Sequence, residues 1–99
     1  MNYTTTHNEE KNIIRHDWEL DGYILTIIKY EDRSNRITIK APLDAPELCV
    51  DDFREDPAVE VNWSAIGNVN GDEARKYAAK IVAAADIAET FQGIIDGMK

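Results

Sequence analysis

The order of apolar and polar positions divides this chain into a strand-like first part and one long helix at its end. Over residues 70 to about 96, apolar side chains recur every three or four positions, which predicts an amphipathic helix. Asn70 is suited to cap this helix, because Glu73 follows three residues later as in a capping box. The predicted apolar face consists of Ala74, Tyr77, Ala78, Ile81, Ala84, Ala85, Ala88, Phe91 and Ile95. We expect this face to be core rather than a binding surface.

The segments before the helix alternate between apolar and polar residues, which is typical of half-buried strands. Three such strands are predicted, over residues 14–20, 23–30 and 36–41. The Asp21-Gly22 pair indicates a tight turn between the first two. Residues 47–50 fit either a short edge strand or a turn of helix, and residues 59–63 fit a fourth strand.

The order of these elements predicts a single α+β domain over residues 1–99. In it, an antiparallel sheet of three to four strands is followed by one long C-terminal helix that packs on one face of the sheet. Residues 1–11 are polar and are expected to form a flexible tail. Residues 42–57 begin and end with proline and are predicted to be an acidic loop.

The most apolar predicted strand, residues 23–30, has apolar residues on both of its faces. Leu25 and Ile27 share one face, and Ile24 and Ile28 share the other. A single helix covers only one face, so the other face should be an exposed apolar patch that meets a partner or a second copy. The predicted dimer face consists of Ile24, Ile28 and Tyr30. Trp18 and Trp63 lie on the apolar phase of their strands and are expected to pack beneath the helix.

The charge of the chain limits its partners, since 19 acidic residues against 11 basic ones give a net charge of −8. This charge repels DNA, RNA and anionic membranes, so we expect no direct binding to them. Seven acids lie in residues 44–60, opposed there only by Arg54: Asp44, Glu47, Asp51, Asp52, Glu55, Asp56 and Glu60. We predict that these carboxylates bind a basic protein or nucleoprotein. The alternative is that they serve solubility only.

Residue types that carry catalysis or bind metals are few and poorly spaced. Cys49, His7 and His16 lack the spacing of zinc ligands, and structural zinc usually has four ligands. The acidic stretch lacks the glycine of a calcium loop, although magnesium on one or two carboxylates stays open. We therefore predict a non-enzymatic protein without metal or cofactor. In this interpretation His16 is partly buried in the sheet, and Cys49 is a small buried apolar residue.

The cellular location follows from three features of the sequence. One cysteine cannot form a disulfide within the chain, which fits a reducing compartment. The first residues lack the apolar run of a secretory signal. No segment approaches the roughly 20 apolar residues that a membrane helix needs. We expect a cytoplasmic protein.

Residues 61–89, VNWSAIGNVNGDEARKYAAKIVAAADIAE, resemble a pattern in small acidic proteins of phages and bacterial mobile elements. In that pattern W-S-A-I-G-x-V is followed by a helix cap, then E-A-R and an alanine-rich helix. The chain is also similar in size and charge to acidic single-domain inhibitors of host defence, including anti-CRISPR proteins. The resemblance implies a non-enzymatic inhibitor and carries no catalytic motif.

Three hypotheses follow from these observations. The first is an acidic binding protein, in its specific form a phage-derived inhibitor that occludes a basic nucleic-acid-binding surface of a host defence complex. The second is a homodimeric structural or scaffolding module of a phage or mobile element, in which the acids serve only solubility. The third is an enzyme or small-ligand binder, which would need a pocket with converging polar groups.

Overall fold

A computed structural model describes residues 1–52, 54–64 and 66–98, so Ala65 of the W-S-A-I-G stretch lies outside the described residues. The described elements are six strands and one helix: β1 (Asn2–Asn8), β2 (Ile13–Leu20), β3 (Tyr23–Lys29), β4 (Arg36–Lys40), β5 (Glu47–Val50), β6 (Val59–Asn62) and α1 (Gly71–Gly97). Strands β1 to β4 form a four-stranded sheet, and β5 and β6 form a separate two-stranded sheet. The predicted α+β class is confirmed.

The main sheet is an antiparallel meander in which each strand pairs with the next along the chain. Leu20 pairs with Tyr23, so Asp21 and Gly22 form a two-residue turn as predicted. Both turn residues have positive φ, 50° and 83°, which matches the twist of the flanking strands. A Cβ at Gly22 would also lie 3.2 Å from the Pro42 side chain, so both the positive φ and the close approach of Pro42 favour glycine here.

Residues 1–11 are not the flexible tail that their polar composition predicts, because Asn2–Asn8 form the edge strand β1. This strand pairs with β2 along its whole length, from Asn2 opposite Glu19 to Asn8 opposite Ile13. The Asn8 side chain accepts the Lys11 N–H at 3.1 Å in the connecting turn. The segment contains three consecutive threonines, which are polar but β-branched and therefore favour a strand.

The predicted fourth strand is also placed differently. Strand β6 does not join the main sheet but pairs with β5, from Glu47 opposite Asn62 to Val50 opposite Val59. Of the two alternatives for residues 47–50, the strand is therefore correct, and it interrupts the predicted 42–57 loop. Strand β5 lies against β4, and β6 lies against α1, so the small sheet fills the gap between the main sheet and the helix.

Helix α1 begins where the sequence predicts. The Asn70 side chain accepts the Glu73 N–H at 2.9 Å and donates to the Glu73 carboxylate at 2.8 Å. Two acids in the first turn, Asp72 and Glu73, complement the positive end of the helix dipole. At the other end, the Met98 N–H donates to the Ile95 carbonyl.

The helix reaches the core only with its C-terminal half. Its buried residues are Ala84, Ile87, Ala88, Phe91 and Ile95. In residues 71–83 every side chain except Tyr77 is exposed, so the prediction that Ala74, Ala78 and Ile81 belong to the core is wrong. A helix of 27 residues is about 40 Å long, whereas strands of four to eight residues span about 13 to 27 Å. The sheets are too short to cover the whole helix.

The core lies between this half of α1, the small sheet and one face of β3 and β4. Leu25, Ile27 and Phe91 are completely or almost completely buried. Trp18 packs at the edge of this core, whereas Trp63 is half-buried and meets the Tyr77 ring edge-on at 4.9 Å. Both tryptophans are half-buried, and neither is the core residue beneath the helix that the sequence predicts: Trp18 packs at the edge of the core, and Trp63 packs against the exposed half of α1. Over the described residues, α1 is too polar to span a membrane.

Candidate functional site

The β5–β6 hairpin, which we call the acidic ribbon, turns one row of side chains outward and one row inward. Strand pairing places Glu47 opposite Asn62 and Cys49 opposite Glu60. Because side chains alternate along a strand, these four residues share one face, and all four are exposed. The other row consists of Leu48, Val50, Val59 and Val61, of which Val61 remains 37% exposed. Leu48 is buried in the core, which fixes the outer row as a solvent-facing surface.

Six of the seven predicted partner-binding carboxylates are exposed: Asp44, Glu47, Asp51, Glu55, Asp56 and Glu60. Glu47 and Glu60 are diagonal neighbours on the outer face of the acidic ribbon, with Cα atoms about 7 Å apart. The other four lie in the segments that lead into β5 and β6. The structure thus brings these acids to one ribbon and the loops that flank it, whereas the sequence predicted a loop over residues 42–57 and a separate fourth strand over residues 59–63.

Asp52 has a different place from the other six carboxylates. Its side chain is partly buried, and Oδ2 accepts the backbone N–H of Ile37 at 3.0 Å. This bond ties the segment after β5 to the start of β4 and satisfies a donor at the free edge of that strand. Asp52 therefore holds the ribbon against the sheet and is less accessible to a partner than the other six carboxylates.

Gln92 fixes the acidic ribbon to the helix, a role that the sequence did not predict. Its Oε1 accepts the Val59 N–H at 2.8 Å, and its Nε2 donates to the Pro57 carbonyl at 2.9 Å. The side-chain amide therefore pairs with the backbone at the start of β6 as a neighbouring strand would. Gln92 falls beside the apolar stripe of α1, but nothing in the sequence names its partners.

Two further bonds hold the loop that precedes β5. The buried Tyr23 hydroxyl donates to the Pro46 carbonyl at 2.6 Å, and burial raises the pKa of this phenol. The Lys80 ammonium donates to the Asp44 carbonyl at 2.9 Å and lies 5.9 Å from the centre of the Trp63 ring. The ribbon is thus anchored at both ends before any partner binds.

Cys49 is exposed, so the prediction that it is a small buried apolar residue is wrong. Leu48 and Cys49 are neighbours in β5, and successive side chains point to opposite faces. Because Leu48 is the better core residue and is 4% exposed, Cys49 is turned outward.

The predicted dimer face is less apolar than the sequence suggests. Ile24 and Ile28 do lie on the sheet face away from α1, but both are half-buried. Ile24 lies between Glu19 and Lys40 on the neighbouring strands, and Ile28 lies between Arg15 and Arg36. The expected apolar patch is therefore divided by charged side chains.

Tyr30, the third residue of the predicted dimer face, follows β3 directly and is half-buried. The Arg33 guanidinium lies 4.8 Å from the centre of its ring. Part of this aromatic surface is therefore already covered within the chain. Dimerisation through Ile24, Ile28 and Tyr30 stays a prediction.

A second surface lies on the helix side of the sheet, on strands β1 and β2. Register places Tyr3 opposite Trp18, and Thr5 opposite His16, on the same face as the buried Leu25 and Ile27. Tyr3, His16 and Trp18 form what we call the aromatic cluster, with ring centres 5.1 to 5.9 Å apart. Tyr3 remains 53% exposed, so α1 leaves this half of the face open.

Hydrogen bonds within the aromatic cluster connect three side chains. The Thr5 hydroxyl donates to the Tyr3 phenol oxygen, which in turn lies 2.6 Å from Nδ1 of His16. Burial, and then the positive charge of Lys29, lower the pKa of His16. The neutral ring can accept the phenol proton at Nδ1. As predicted, His16 is a partly buried sheet residue.

On the opposite face of β2, Asp17 is the centre of a small polar network. The Arg15 guanidinium donates to its carboxylate at 2.9 Å, and the Thr26 hydroxyl donates to it at 2.6 Å. The bond from Arg15, more than that from Thr26, holds the pKa of Asp17 below its ordinary value. Thr26 is a buried polar residue, and this bond satisfies it.

Within the described residues, no three histidine, cysteine or acidic side chains converge in an arrangement that would hold a metal ion. The acids of the ribbon follow a surface rather than surround a point. Comparison with protein-family models, with curated proteins and with solved structures finds no match for this chain.

Proposed function

We propose that this protein is a non-enzymatic binding protein that docks the acidic ribbon on a basic surface of another protein. The observation that carries the proposal is the outward row of β5 and β6, where Glu47 and Glu60 are exposed on a hairpin anchored to the core. A carboxylate surface of this kind attracts a basic partner and repels nucleic acid.

Anchoring of the ribbon supports a docking role. Gln92 and Asp52 fix the segments that enter β6 and leave β5, through bonds of 2.8 to 3.0 Å to backbone groups. A surface that is already ordered loses little conformational freedom on binding, so more of its interaction free energy appears as affinity. The exposed Leu43, beside the ribbon, adds apolar area to the same region.

The specific form of the proposal is an inhibitor, of phage or mobile-element origin, that covers a nucleic-acid-binding surface of a host defence complex. Basic surfaces that bind nucleic acid are complementary to closely spaced carboxylates, because both ligands present regularly spaced negative charge. The net charge of −8 on 99 residues supports this form, as does the resemblance of residues 61–89 to small acidic phage proteins.

The test begins with capture of a partner from a bacterial lysate by the whole chain, at low and at high salt. The dissociation constant of the purified partner is then measured for the wild type and for Glu47→Lys/Glu60→Lys. Because both substitutions reverse charge at the outer face, we expect binding to weaken about tenfold or more. Competition with duplex DNA and with RNA tests whether the partner's nucleic-acid surface is the one covered.

The matched control is Glu9→Lys/Glu10→Lys, in the turn between β1 and β2, on the opposite edge of the main sheet from the ribbon. It changes the net charge by the same amount and should bind within about twofold of the wild type. Equal loss of binding in both variants would show that only total charge matters. Unchanged binding in the ribbon variant would remove the proposal.

A homodimeric scaffold is the second candidate function. The structure gives little support to the predicted dimer face on β3, since charged residues flank both isoleucines. The observation that favours self-association is instead the free edge of the main sheet at β1, where all seven residues are exposed.

A further inference from the structure

We propose that two copies of this chain associate edge to edge through β1, in antiparallel register about Thr5, so that two four-stranded sheets become one of eight strands. This inference deepens the homodimer alternative and does not depend on the acidic ribbon. It also replaces the Ile24, Ile28 and Tyr30 face with a different surface.

Strand β1 is an unprotected sheet edge. Its seven residues, NYTTTHN, include no proline, no glycine and no formally charged residue, although 30% of the chain is charged. Edge strands of monomeric proteins are usually short, or carry lysine, proline or a bulge, because a free row of N–H and C=O groups recruits another strand. The β1 edge has none of these protections.

The other strand edges are protected. At the free edge of β4, Asp52 accepts the Ile37 N–H and β5 lies alongside. Strands β5 and β6 are only four residues long, and Glu47 and Glu60 lie on them. Among the described strands, β1 therefore combines the length and the neutrality that strand pairing favours.

The sequence of β1 is complementary to itself in the proposed register. Antiparallel pairing about Thr5 places Thr5 opposite the partner's Thr5 and Tyr3 opposite the partner's His7. Thr4 then meets the partner's Thr6, and Asn2 meets the partner's Asn8. Threonine pairs and aromatic pairs are favourable cross-strand neighbours, and no like charges meet. A two-fold axis makes every contact occur twice, as in an isologous dimer.

The same register gives the aromatic cluster an additional ring neighbour from the second chain. Tyr3 is 53% exposed in one chain, and in the dimer its ring lies beside the partner's His7. The row Trp18, Tyr3 then continues across the two-fold axis on the open half of the sheet face. Because the interface consists of one strand and one aromatic row on each side, it buries less than a standard interface of about 1,600 Å². We therefore expect micromolar or weaker association.

The experiment measures the mass of the whole chain by light scattering and sedimentation over a concentration series that reaches about 1 mM. The wild type should approach twice the 11.2 kDa chain mass. Thr4→Lys/Thr6→Lys places lysine opposite lysine twice, and we expect its dissociation constant to rise about tenfold or more. Thr4→Lys/Thr6→Glu places lysine opposite glutamate instead and should dimerise within about threefold of the wild type.

Both variants should fold, because Thr4 faces Asp17 and Thr6 faces Arg15 on β2, at an exposed edge. If the lysine variant fails to fold, a cross-link still tests the register. Thr5→Cys in a Cys49→Ser background should form a disulfide-linked dimer on oxidation. Thr38→Cys in the same background, on an exposed position of β4, should form it much more slowly.

Salt separates this inference from the proposed function. Two chains of charge −8 repel each other, so added salt should strengthen the dimer, whereas it should weaken binding of a basic partner to the ribbon. A wild type that stays monomeric throughout would overturn the inference. Equal dissociation constants for the wild type and Thr4→Lys/Thr6→Lys would also overturn it. So would equal dissociation constants for Thr4→Lys/Thr6→Lys and Thr4→Lys/Thr6→Glu. None of these results would affect binding through the acidic ribbon.

Discussion

Single side chains that bond to distant backbone groups hold this molecule together at the places where its sheets end. The Asp52 carboxylate accepts the Ile37 N–H, and the Tyr23 hydroxyl donates to the Pro46 carbonyl. The Gln92 amide accepts the Val59 N–H and donates to the Pro57 carbonyl. Each joins segments that are 15 to 35 residues apart in the chain. A short strand with unpaired backbone groups needs such partners, because a buried group without one costs about 1–3 kcal/mol.

Gln92 gives the sharpest prediction at this scale. Gln92→Ala removes both bonds to the β6 entrance, so we expect the free energy of unfolding to fall by about 1–3 kcal/mol. Gln92→Glu keeps an acceptor for the Val59 N–H, but it loses the donor to Pro57 and places a carboxylate near Asp96.

Urea denaturation of both Gln92 variants tests this reading. At neutral pH the glutamate variant should also be less stable than the wild type, and this difference should shrink as the pH falls and its carboxyl becomes protonated. Thr90→Ala, at an exposed position two residues before Gln92 and so on the other side of the helix, is the control and should change stability by less than about 0.5 kcal/mol. If Gln92→Ala were as stable as the wild type, the two Gln92 hydrogen bonds would not stabilise the fold.

At the scale of elements, helix α1 has two halves with different environments. Its C-terminal half supplies buried residues, including Phe91 at 0% exposure, whereas Val82 in the first half is 62% exposed. The first half is held by the Tyr77–Trp63 contact and by the Lys80 bond to Asp44. Isolated helical segments of about a dozen residues are marginally stable in water, so the Asn70 cap matters most in this half.

Two isoleucines of the same helix test this division. Ile87 is 5% exposed and Ile81 is 38% exposed. Because Ile87→Ala leaves a cavity in the core, it should cost about 2–4 kcal/mol of unfolding free energy, whereas Ile81→Ala should cost less than about 1 kcal/mol. Equilibrium denaturation measures both values. Similar losses at the two positions would mean that the first half of α1 is packed in solution.

At the scale of the whole molecule, stability should depend on pH through β2. The pKa of His16 is lowered below 6.5 in the folded state, and the pKa of Asp17 is lowered below 3.8. A group whose folded pKa is depressed binds fewer protons when folded, so stability rises with pH across the interval between its two pKa values. The His16 contribution is therefore complete above pH 6.5 and is lost as pH falls through the folded value.

The prediction is an unfolding midpoint that decreases as pH is lowered from 7 into the range below 6.5, with a further decrease below 3.8 from Asp17. His16→Gln should remove the first decrease and leave the second. Thr38→Ala, at an exposed position of β4, is the control and should keep the wild-type profile. Urea unfolding midpoints at several pH values measure this pH dependence. An unchanged profile in His16→Gln would show that the first decrease does not come from His16.

Local patterns in the sequence were enough to predict most of the elements. The three-and-four spacing and the Asn70–Glu73 cap determine a helix, because both act within one or two turns. The Asp21-Gly22 pair determines a hairpin because both residues tolerate positive φ. The outward position of six carboxylates follows from their charge, since an unpaired charge is costly to bury.

Only the tertiary structure decided which surfaces these elements bury. Thr4 to Thr6 became a strand because β2 offered an edge, and Cys49 was turned outward because Leu48 was turned in. Half of α1 stayed exposed because the sheets are shorter than the helix, a comparison of lengths that no local pattern contains. The long-range bonds of Asp52 and Gln92 depend on backbone groups brought near by the fold. Sequence periodicity therefore determined the elements, and the packing of distant segments determined the surfaces.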